Sequence, residues 1–566
     1  MPQHVLIIGA VAAGPKAAAR FKRLEPDSTV LMIDQSKTIS YGSCGIPYYV
    51  GGDVSDASEL RATSFHMVRD NDFFKEVKGV DVRTGLKAVQ VDRAGKKVLV
   101  RNVDNGKEEY LPYDKLVISM GARVRKLGLP GEDLEGVHYI SSLDEAILIR
   151  EALTKGLVNR AVVVGAGFIG LEMADALADM WGVETEVVEI TSQIMPRLVS
   201  PSLAAMGQRH MEEKGVVFHL NEKVVRLEGE GRVQRVITDR NEIEADLVIM
   251  APGVVPNSDL AKEAGLDVHE RGGVLVDEHM RTSDPDIYAG GDCVLVKDLI
   301  TGQPLYLPMG SLSNRQGRVI GTNLAGGDAV FSGAVGSFVV KIFERTLSGA
   351  GLSLDSARAA GFDAGSVLMV QLDRAHFYPT KALMTLELVY EKGTRRILGI
   401  QGFGSTSDAL VGRVNVVAGL LPHKPKVEEL SNLEMAYSPP FAAAVDILNS
   451  LGHVAENAIE GRLLGVYPDE FHRLWEGDGC YFLDCREEAD ASPFLKANPE
   501  QWHNIPQGKL YERIAEVPKD KPILLVCNTG ARSYEAQVQL VSKGYKNVQS
   551  AMGGMAGLKQ WGEKLD

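Results

Sequence analysis

The sequence predicts an α/β fold divided among several domains, and three observations predict it. An apolar strand, a glycine turn and an alanine-rich helix open the chain at His4–Arg20, and the same pattern returns about 155 residues later at Ala161. A third strand–turn–helix run surrounds Cys527 near the C-terminus. At 566 residues the chain is too long for one hydrophobic core, so about three to five structural units are expected.

Composition removes several function classes. The content of 45% hydrophobic and 24% charged residues is ordinary for a globular chain, and no apolar run approaches the roughly 20 residues that span a bilayer. No membrane partner is expected. A net charge of −14 opposes bulk attraction to phosphate backbones, so nucleic acid is not an expected partner either. The apolar N-terminus leads straight into a glycine turn without a basic lead or cleavage pattern, and reads as a first strand, not a signal peptide. Five widely spaced cysteines, an odd number, favour reduced thiols and a cytoplasmic setting, where a special cysteine is catalytic sooner than a staple.

In the first unit, Gly9-Ala-Val-Ala-Ala13-Gly14 lies between strand and helix. Glycines there let the backbone approach a pyrophosphate, and the helix N-terminus points unpaired N–H groups at it. Val11 stands where a second glycine belongs, and Pro15 with the displaced Lys16 excludes a P-loop. A second strand, Thr29 to Ile33, ends in Asp34, placed to hydrogen-bond a ribose. Alone, this motif does not separate a dinucleotide site from an ordinary α/β turn. The second copy has all three glycines, Gly165, Gly167 and Gly170, and its strand Thr185 to Val188 is followed by Glu189. An acid there accepts from a ribose 2′-OH and repels a 2′-phosphate, which favours NADH over NADPH. Two such units point to two nucleotides, one a held cofactor and one an exchanging hydride donor.

Between and after them come Ile118-Ser-Met-Gly121-Ala122, Ala251–Asn257 and Thr282–Asp292. With these stretches the chain resembles the pyridine nucleotide-disulfide oxidoreductase family. The resemblance implies an FAD site closed by Gly291-Asp292, with Asp292 on the ribityl chain, and an NADH domain inserted into a discontinuous FAD domain. Cys293 reads as a small buried apolar residue beside that loop.

Cys44 lies in Ser40-Tyr-Gly-Ser-Cys44-Gly-Ile-Pro-Tyr-Tyr49, a loop bounded by glycine and proline, about ten residues after Asp34. The second cysteine of a two-cysteine disulfide reductase, five positions away, is absent: Ile39 and Tyr49 stand there. A lone cysteine of this kind cycles as a mixed disulfide with a small thiol or as a sulfenic acid, both starting from a thiolate. The surrounding residues resemble the single-cysteine branch that includes coenzyme A disulfide reductases and NADH-dependent persulfide reductases. That resemblance implies coenzyme A contacts at Arg23, Ser40, Tyr41, Ser43 and Lys78, and active-site tyrosines Tyr378 and Tyr437 reaching across a homodimer. Read on their own, Arg23 and Lys78 fit solvated charges equally well, and the tyrosines a core. Tyr41-Gly42 replaces the Phe-Ala common in this loop. Ala12 stands where related peroxidases and oxidases carry a histidine, which disfavours peroxide reduction.

Near the C-terminus, strand Tyr481 to Leu483 leads to Asp484-Cys-Arg-Glu487, and strand Pro522 to Val526 leads to Cys527-Asn-Thr-Gly-Ala-Arg532-Ser533 and a helix. Successive N–H groups of such a turn face one point and cradle an anionic sulfur, with Arg532 adding positive charge. The segment resembles a rhodanese domain, also in Met552-Gly-Gly-Met555, and implies a persulfide carried on Cys527. Cys480 and Cys485 have no partner pair at zinc spacing, so no metal is expected.

The sequence therefore predicts two Rossmann-like nucleotide-binding domains, an α+β dimerisation domain and a C-terminal α/β rhodanese-like domain. The expected boundaries are 1–112 with 246–328 for FAD, 113–245 for NADH, 329–449 for dimerisation, 450–462 as linker and 463–566 for the rhodanese-like part. The expected activity is NADH-dependent, FAD-mediated reduction of coenzyme A disulfide, coenzyme A persulfide or polysulfide through Cys44, with Cys527 handling sulfane sulfur. The alternatives are a sulfurtransferase with an accessory flavin module, an NADH oxidase or peroxidase, and a non-catalytic redox sensor. If Glu189 sits against the extra phosphate of NADPH, a like-charge penalty of about 1–3 kcal/mol makes kcat/KM with NADH roughly 5- to 150-fold higher. A higher kcat/KM with NADPH places this acid elsewhere.

Overall fold

Strand His4–Ile8 is buried at four of its five positions, and Arg160–Val164 likewise, as short apolar runs without alternation require when both faces of a parallel sheet are covered. The computed structural model describes residues 2–406, 408–477 and 479–563. The chain divides into two compact units, 1–190 with 222–334, and 191–221 with 335–566.

In the first unit one parallel sheet runs in the order Ile287–Ala289, Lys115–Ile118, His4–Ile8, Thr29–Asp34 and Asp81–Thr84. A second orders Glu184–Glu189, Arg160–Val164, Leu247–Met250 and Val137–Tyr139. Both expected domain boundaries move. Lys115–Ile118, assigned to the inserted 113–245, joins the first sheet, and Leu247–Met250, assigned to 246–328, joins the second. The chain crosses between the two through an antiparallel ribbon of Ala122–Val124 and Val254–Pro256. The reason is physical: both strands are short apolar runs, and nothing local in such a run says which sheet it enters.

A helix not anticipated from the sequence organises this unit. Gly310–Leu324 crosses Ala13–Leu24 so closely that a Cβ on Gly317 would lie 2.4 Å from the Ala13 carbonyl oxygen, and one on Gly321 2.5 Å from that of Ala17. Arg20 Nε donates to Thr322 Oγ1 at 3.1 Å across the same crossing.

In the second unit an antiparallel sheet orders Phe338–Ile342, Arg345–Gly351, Ile397–Ser405, Leu383–Glu391 and Ala364–Leu372. A parallel sheet follows in the order Gly465–Val466, Val548–Ala551, Ile523–Val526, Tyr481–Asp484 and Trp502–Asn504. The expected linker 450–462 is mostly helix. Asp446 caps Ile447–Ile459 at Leu448 N and pairs with Arg413 at 2.6 Å, while Ile447, Leu448, Leu451 and Ala455 are buried. A buried apolar face and a capping aspartate hold a helix where composition suggested a connector. The C-terminal domain is joined to the antiparallel sheet by partly buried polar contacts. Tyr467 Oη donates to Glu387 Oε1 at 3.3 Å, Ser366 Oγ lies 2.6 Å from Tyr467 Oη, and Thr385 donates to Gln560 at 2.6 Å. Burial pushes the Glu387 carboxyl up, against hydrogen bonds from Ser200, Ser366 and Tyr467 that lower it.

Among the described residues no helix is long and apolar enough to cross a membrane. Gly317→Val should lower the stability of the first unit by about 1–3 kcal/mol through overpacking. The helical Gly412, with nothing within 4 Å of a would-be Cβ, serves as control through Gly412→Ala. Thermal melts in which both variants match the wild type would remove the close crossing from the account.

Candidate redox and sulfur sites

The two glycine turns share one geometry. Gly9 and Gly165 both adopt positive φ, +105° and +108°, and an added Cβ would meet the Ser119 or Ala251 carbonyl oxygen at 2.1 or 2.4 Å. Gly14 and Gly170 lie against the carbonyls of Gly9 and Gly165, within 2.0 and 1.9 Å of a would-be Cβ, which lets each helix start against its turn. Gly167, by contrast, faces open space. The acid that ends each second strand supports its turn: Ala10 N donates to Asp34 Oδ2 and Ala166 N to Glu189 Oε2, both at 2.8 Å. Burial pushes the Asp34 carboxyl up, opposed by the Ser36 and Ala10 amides. A helix N-terminus behind a glycine turn with this open approach fits a dinucleotide diphosphate.

The Gly291-Asp292 turn closes over the first helix. A Cβ on Gly291 would lie 3.3 Å from Ala13 Cβ, and Gly121, at the end of the neighbouring strand, also takes positive φ. Ser313 Oγ donates to Asp292 Oδ1 at 3.0 Å, and Gly291 N donates to Gln316 Oε1 at 2.7 Å, both partners coming from the helix Gly310–Leu324. Burial pushes the Asp292 carboxyl up. Cys293 is fully buried, its thiol pushed up to about 11 by burial. The Tyr306 hydroxyl is buried without a hydrogen-bond partner, and burial, with Asp292 and Cys293 adding, pushes it well up. An orphaned hydroxyl at this turn fits a site that a polar ligand completes.

Cys44 lies in the short 3₁₀ turn Ser43–Gly45 and is exposed. Gly42 N donates to Leu60 O at 2.8 Å, Gly45 N to Gly42 O at 2.9 Å, and the following helix Ile46–Gly51 carries Pro47 in its first turn. A Cβ on Gly310 would lie 3.4 Å from Cys44 Sγ, so the bare start of the helix Gly310–Leu324 faces the thiol. Tyr48 Oη donates to Glu172 Oε1 at 3.1 Å, which ties the cysteine's helix to the second glycine helix.

Of the expected coenzyme A residues, Tyr41 and Ser43 flank the thiol on its loop, whereas Ser40 is buried at φ +48° with its N–H on Ala10 O. Burial, then Asp34 and Asp144, pushes Tyr41 up to about 12. Arg23 is exposed near a helix end, and Lys78 Nζ lies 5.1 Å over the Phe73 ring. Those helix ends adjoin, since a Cβ on Gly79 would lie 3.1 Å from Lys22 Cε. The segments of Tyr378 and Tyr437 also meet, through Ala375 N donating to Pro439 O at 3.3 Å. Tyr437 is half exposed and no core residue, and Phe377 next to Tyr378 and Phe441 four residues after Tyr437 are exposed as well.

In the C-terminal domain Gly530 N donates to Cys527 Sγ at 3.1 Å, and the helix Ala531–Ser542 begins directly after. Sequence reasoning missed Ser533, whose Oγ lies 3.5 Å from the sulfur and is held by Ser550 at 2.8 Å. The Met552–Met555 turn locks the loop from behind: Met555 N donates to Cys527 O, and Gly554 has no room for a Cβ, which would fall 2.3 Å from that oxygen. Arg532 Nη1 lies 3.9 Å from Glu487. Arg486 is structural, its guanidinium buried on Asp484 at 2.6 Å. No metal-binding cluster occurs among the described residues.

Residues 3–312 match the family described as pyridine nucleotide-disulphide oxidoreductase. The chain belongs to that family. Residues 338–447 match its dimerisation domain and 467–560 a rhodanese-like domain. Over 454 residues the chain is 32% identical to the NAD(P)H coenzyme A polysulfide/persulfide reductase of Pyrococcus horikoshii, covering 80% of this chain and 98% of that protein. Among solved structures it is similar to a NAD-dependent persulfide reductase from A. fulgidus, 38% identical with TM-score 0.92, over 98% of this chain and 99% of that one. It is also similar to Bacillus anthracis CoADR-RHD, 31% identical with TM-score 0.90, over 99% and 98%.

Cys44→Ser should abolish NADH-driven reduction of disulfides and persulfides while leaving flavin bound, because the turn is held by backbone contacts and not by the sulfur. Normal steady-state turnover by that variant would sink the role of this thiol.

Proposed function

We propose that the chain is an FAD-dependent NADH oxidoreductase that reduces coenzyme A persulfide, coenzyme A disulfide or polysulfide sulfur through Cys44, with Cys527 as the carrier of sulfane sulfur. The observation that carries the reading is the helix Gly310–Leu324, whose first residue faces the exposed Cys44 sulfur while its Ser313 holds Asp292. One element thus ties the redox thiol to the turn assigned to the flavin. When bound, the flavin supplies a two-electron relay between NADH and the cysteine sulfur.

The chain's own residues have separable roles. Gly9, Ala13, Gly14, Asp34, Gly121 and Asp292 hold FAD; Gly165, Gly167, Gly170 and Glu189 hold NADH. Arg23 and Lys78 pair with the phosphates of coenzyme A, and Ser40, Tyr41 and Ser43 shape the loop beside its thiol. The Cys44 thiolate attacks the coenzyme A sulfur of the persulfide, forms a mixed disulfide and expels sulfide; two electrons and a proton then restore the thiolate and release coenzyme A. Tyr378 and Tyr437 act in the partner subunit's site of a homodimer, for which the half-exposed Tyr437 and the exposed Phe377 and Phe441 supply an uncovered face. A cytoplasmic location suits five unpaired cysteines. Ala12 leaves the first glycine loop without an imidazole, which makes the oxidase or peroxidase reading the weaker one.

The test compares donors. Cys527→Ser should spare turnover of coenzyme A disulfide and small persulfides but slow polymeric sulfur, which needs delivery to a loop built around a small thiol. Both cysteine variants are assayed with one small and one polymeric donor at saturating NADH. Equal rates for wild type and Cys527→Ser on every donor would show that Cys527 does not feed Cys44. Thiosulfate:cyanide turnover without NADH, coupled to no sulfur-dependent NADH oxidation, would favour the sulfurtransferase.

A further inference from the structure

Cys485 has no part in that cycle, yet the C-terminal sheet sets it beside Cys527. Strands Tyr481–Asp484 and Ile523–Val526 are parallel neighbours, with Asp484 opposite Val526, and each runs directly into its cysteine. The ladder continues one step further, because Cys485 N donates to Val526 O at 2.8 Å. Residues opposite one another on parallel strands point to the same face, and alternation then puts Leu483, Cys485, Leu525 and Cys527 on one face. The packing agrees: those four share one core cluster, while Phe482, Leu524 and Val526 fill the cluster on the other face.

Adjacent strands lie about 4.7–4.9 Å apart, inside the roughly 4.4–6.8 Å between Cα atoms that a disulfide spans. Cys480, the third thiol of this domain, packs with the opposite face and is no competitor. Both cysteines are buried, at 0% and 1% exposure, so a bond between them closes inside the domain.

We propose that Cys485 is a resolving thiol for Cys527, so that a sulfane sulfur left on Cys527 without an acceptor is expelled as sulfide while the two cysteines close a disulfide. The inference rests on the reading of Cys527 as a sulfur carrier. Thiosulfate transfers its outer sulfur to the Cys527 thiolate, giving the persulfide anion and sulfite. The Cys485 thiol then attacks the inner sulfur: the Cys485–Cys527 bond forms, the sulfur–sulfur bond of the persulfide breaks, and the outer sulfur leaves as hydrosulfide with the proton from Cys485. Both cysteines are oxidised by one electron each and the sulfane sulfur is reduced by two. Two equivalents of a small thiol reopen the bond and leave as their own disulfide.

Burial pushes the Cys485 thiol well up, with Cys527 and Asp484 adding and Arg532 opposing. Little thiolate is present, so resolution runs behind transfer to a good acceptor and acts when acceptors are scarce. The domain thereby gains a second activity, release of sulfide from sulfane donors at the expense of thiols, with no need for NADH or flavin reduction.

The full chain, reduced and freed of thiols, is given thiosulfate without NADH or cyanide, and sulfide, intact mass and disulfide-linked peptides are followed. Wild type should release about one sulfide per chain and yield a peptide linking Cys485 to Cys527. Cys485→Ser should release none and stop at a gain of about 32 Da on Cys527, while keeping thiosulfate:cyanide turnover as proof of folding. A wild-type chain that holds the added sulfur with no linked peptide overturns the resolving role alone, whatever the variant does. If neither chain ever gains sulfur at Cys527 and no linked peptide forms, the carrier reading fails as well.

Discussion

The crossing of the helices Ala13–Leu24 and Gly310–Leu324 is the constraint on which the first unit depends. At Gly317 and Gly321 two backbones meet with no side chain between them. Such contact leaves no room for sliding, because carbonyl oxygens are harder partners than the ends of flexible side chains. The helix is therefore held at a fixed height against the first glycine turn, and its other contacts follow. Gln316 receives the Gly291 amide, Ser313 reaches Asp292, and Gly310 faces the Cys44 sulfur. Three parts of the chain more than two hundred residues apart in places are positioned by one rigid element, the arrangement that preorganised sites need.

The acids Asp34 and Glu189 are structural parts of the two glycine turns. Each accepts an amide from its own glycine turn, so the carboxylate shapes that turn from within. A change of charge at Glu189 therefore acts on the geometry of its turn. In the C-terminal domain Asp484 is a structural acid of the same kind: it accepts from Arg486 and from Trp502 Nε1 and braces the strand end that carries Cys485.

The two cysteine loops are built differently. Cys44 is exposed in a tight turn and faces a glycine, which leaves room for a bulky thiol partner. Cys527 is buried, receives a backbone amide on its sulfur and is locked from behind by the Met552–Met555 turn. A backbone N–H aimed at a buried sulfur favours its anionic form.

The sequence by itself determined the local units: the two glycine turns with Asp34 and Glu189 at the ends of their second strands, the solitary Cys44, and the Cys527 loop at a helix start. Each is encoded within a few dozen residues, where spacing alone specifies backbone shape. Tertiary structure decided what those units share. Lys115–Ile118 and Leu247–Met250 look alike as apolar runs, and only long-range pairing assigned them to different sheets. The small residues Gly310, Gly317 and Gly321 were a visible signal of close packing, but a glycine names no partner. Helix Ile447–Ile459 replaced an expected linker because its buried face needed a neighbour that the local pattern does not show. In sequence the neighbour of Cys485 is Cys480, a pair without partners at zinc spacing, and proximity along the chain is the only guide there. Strand alternation sends those two to opposite faces and brings Cys485 to Cys527, because in a parallel sheet register and not sequence distance sets which side chains meet.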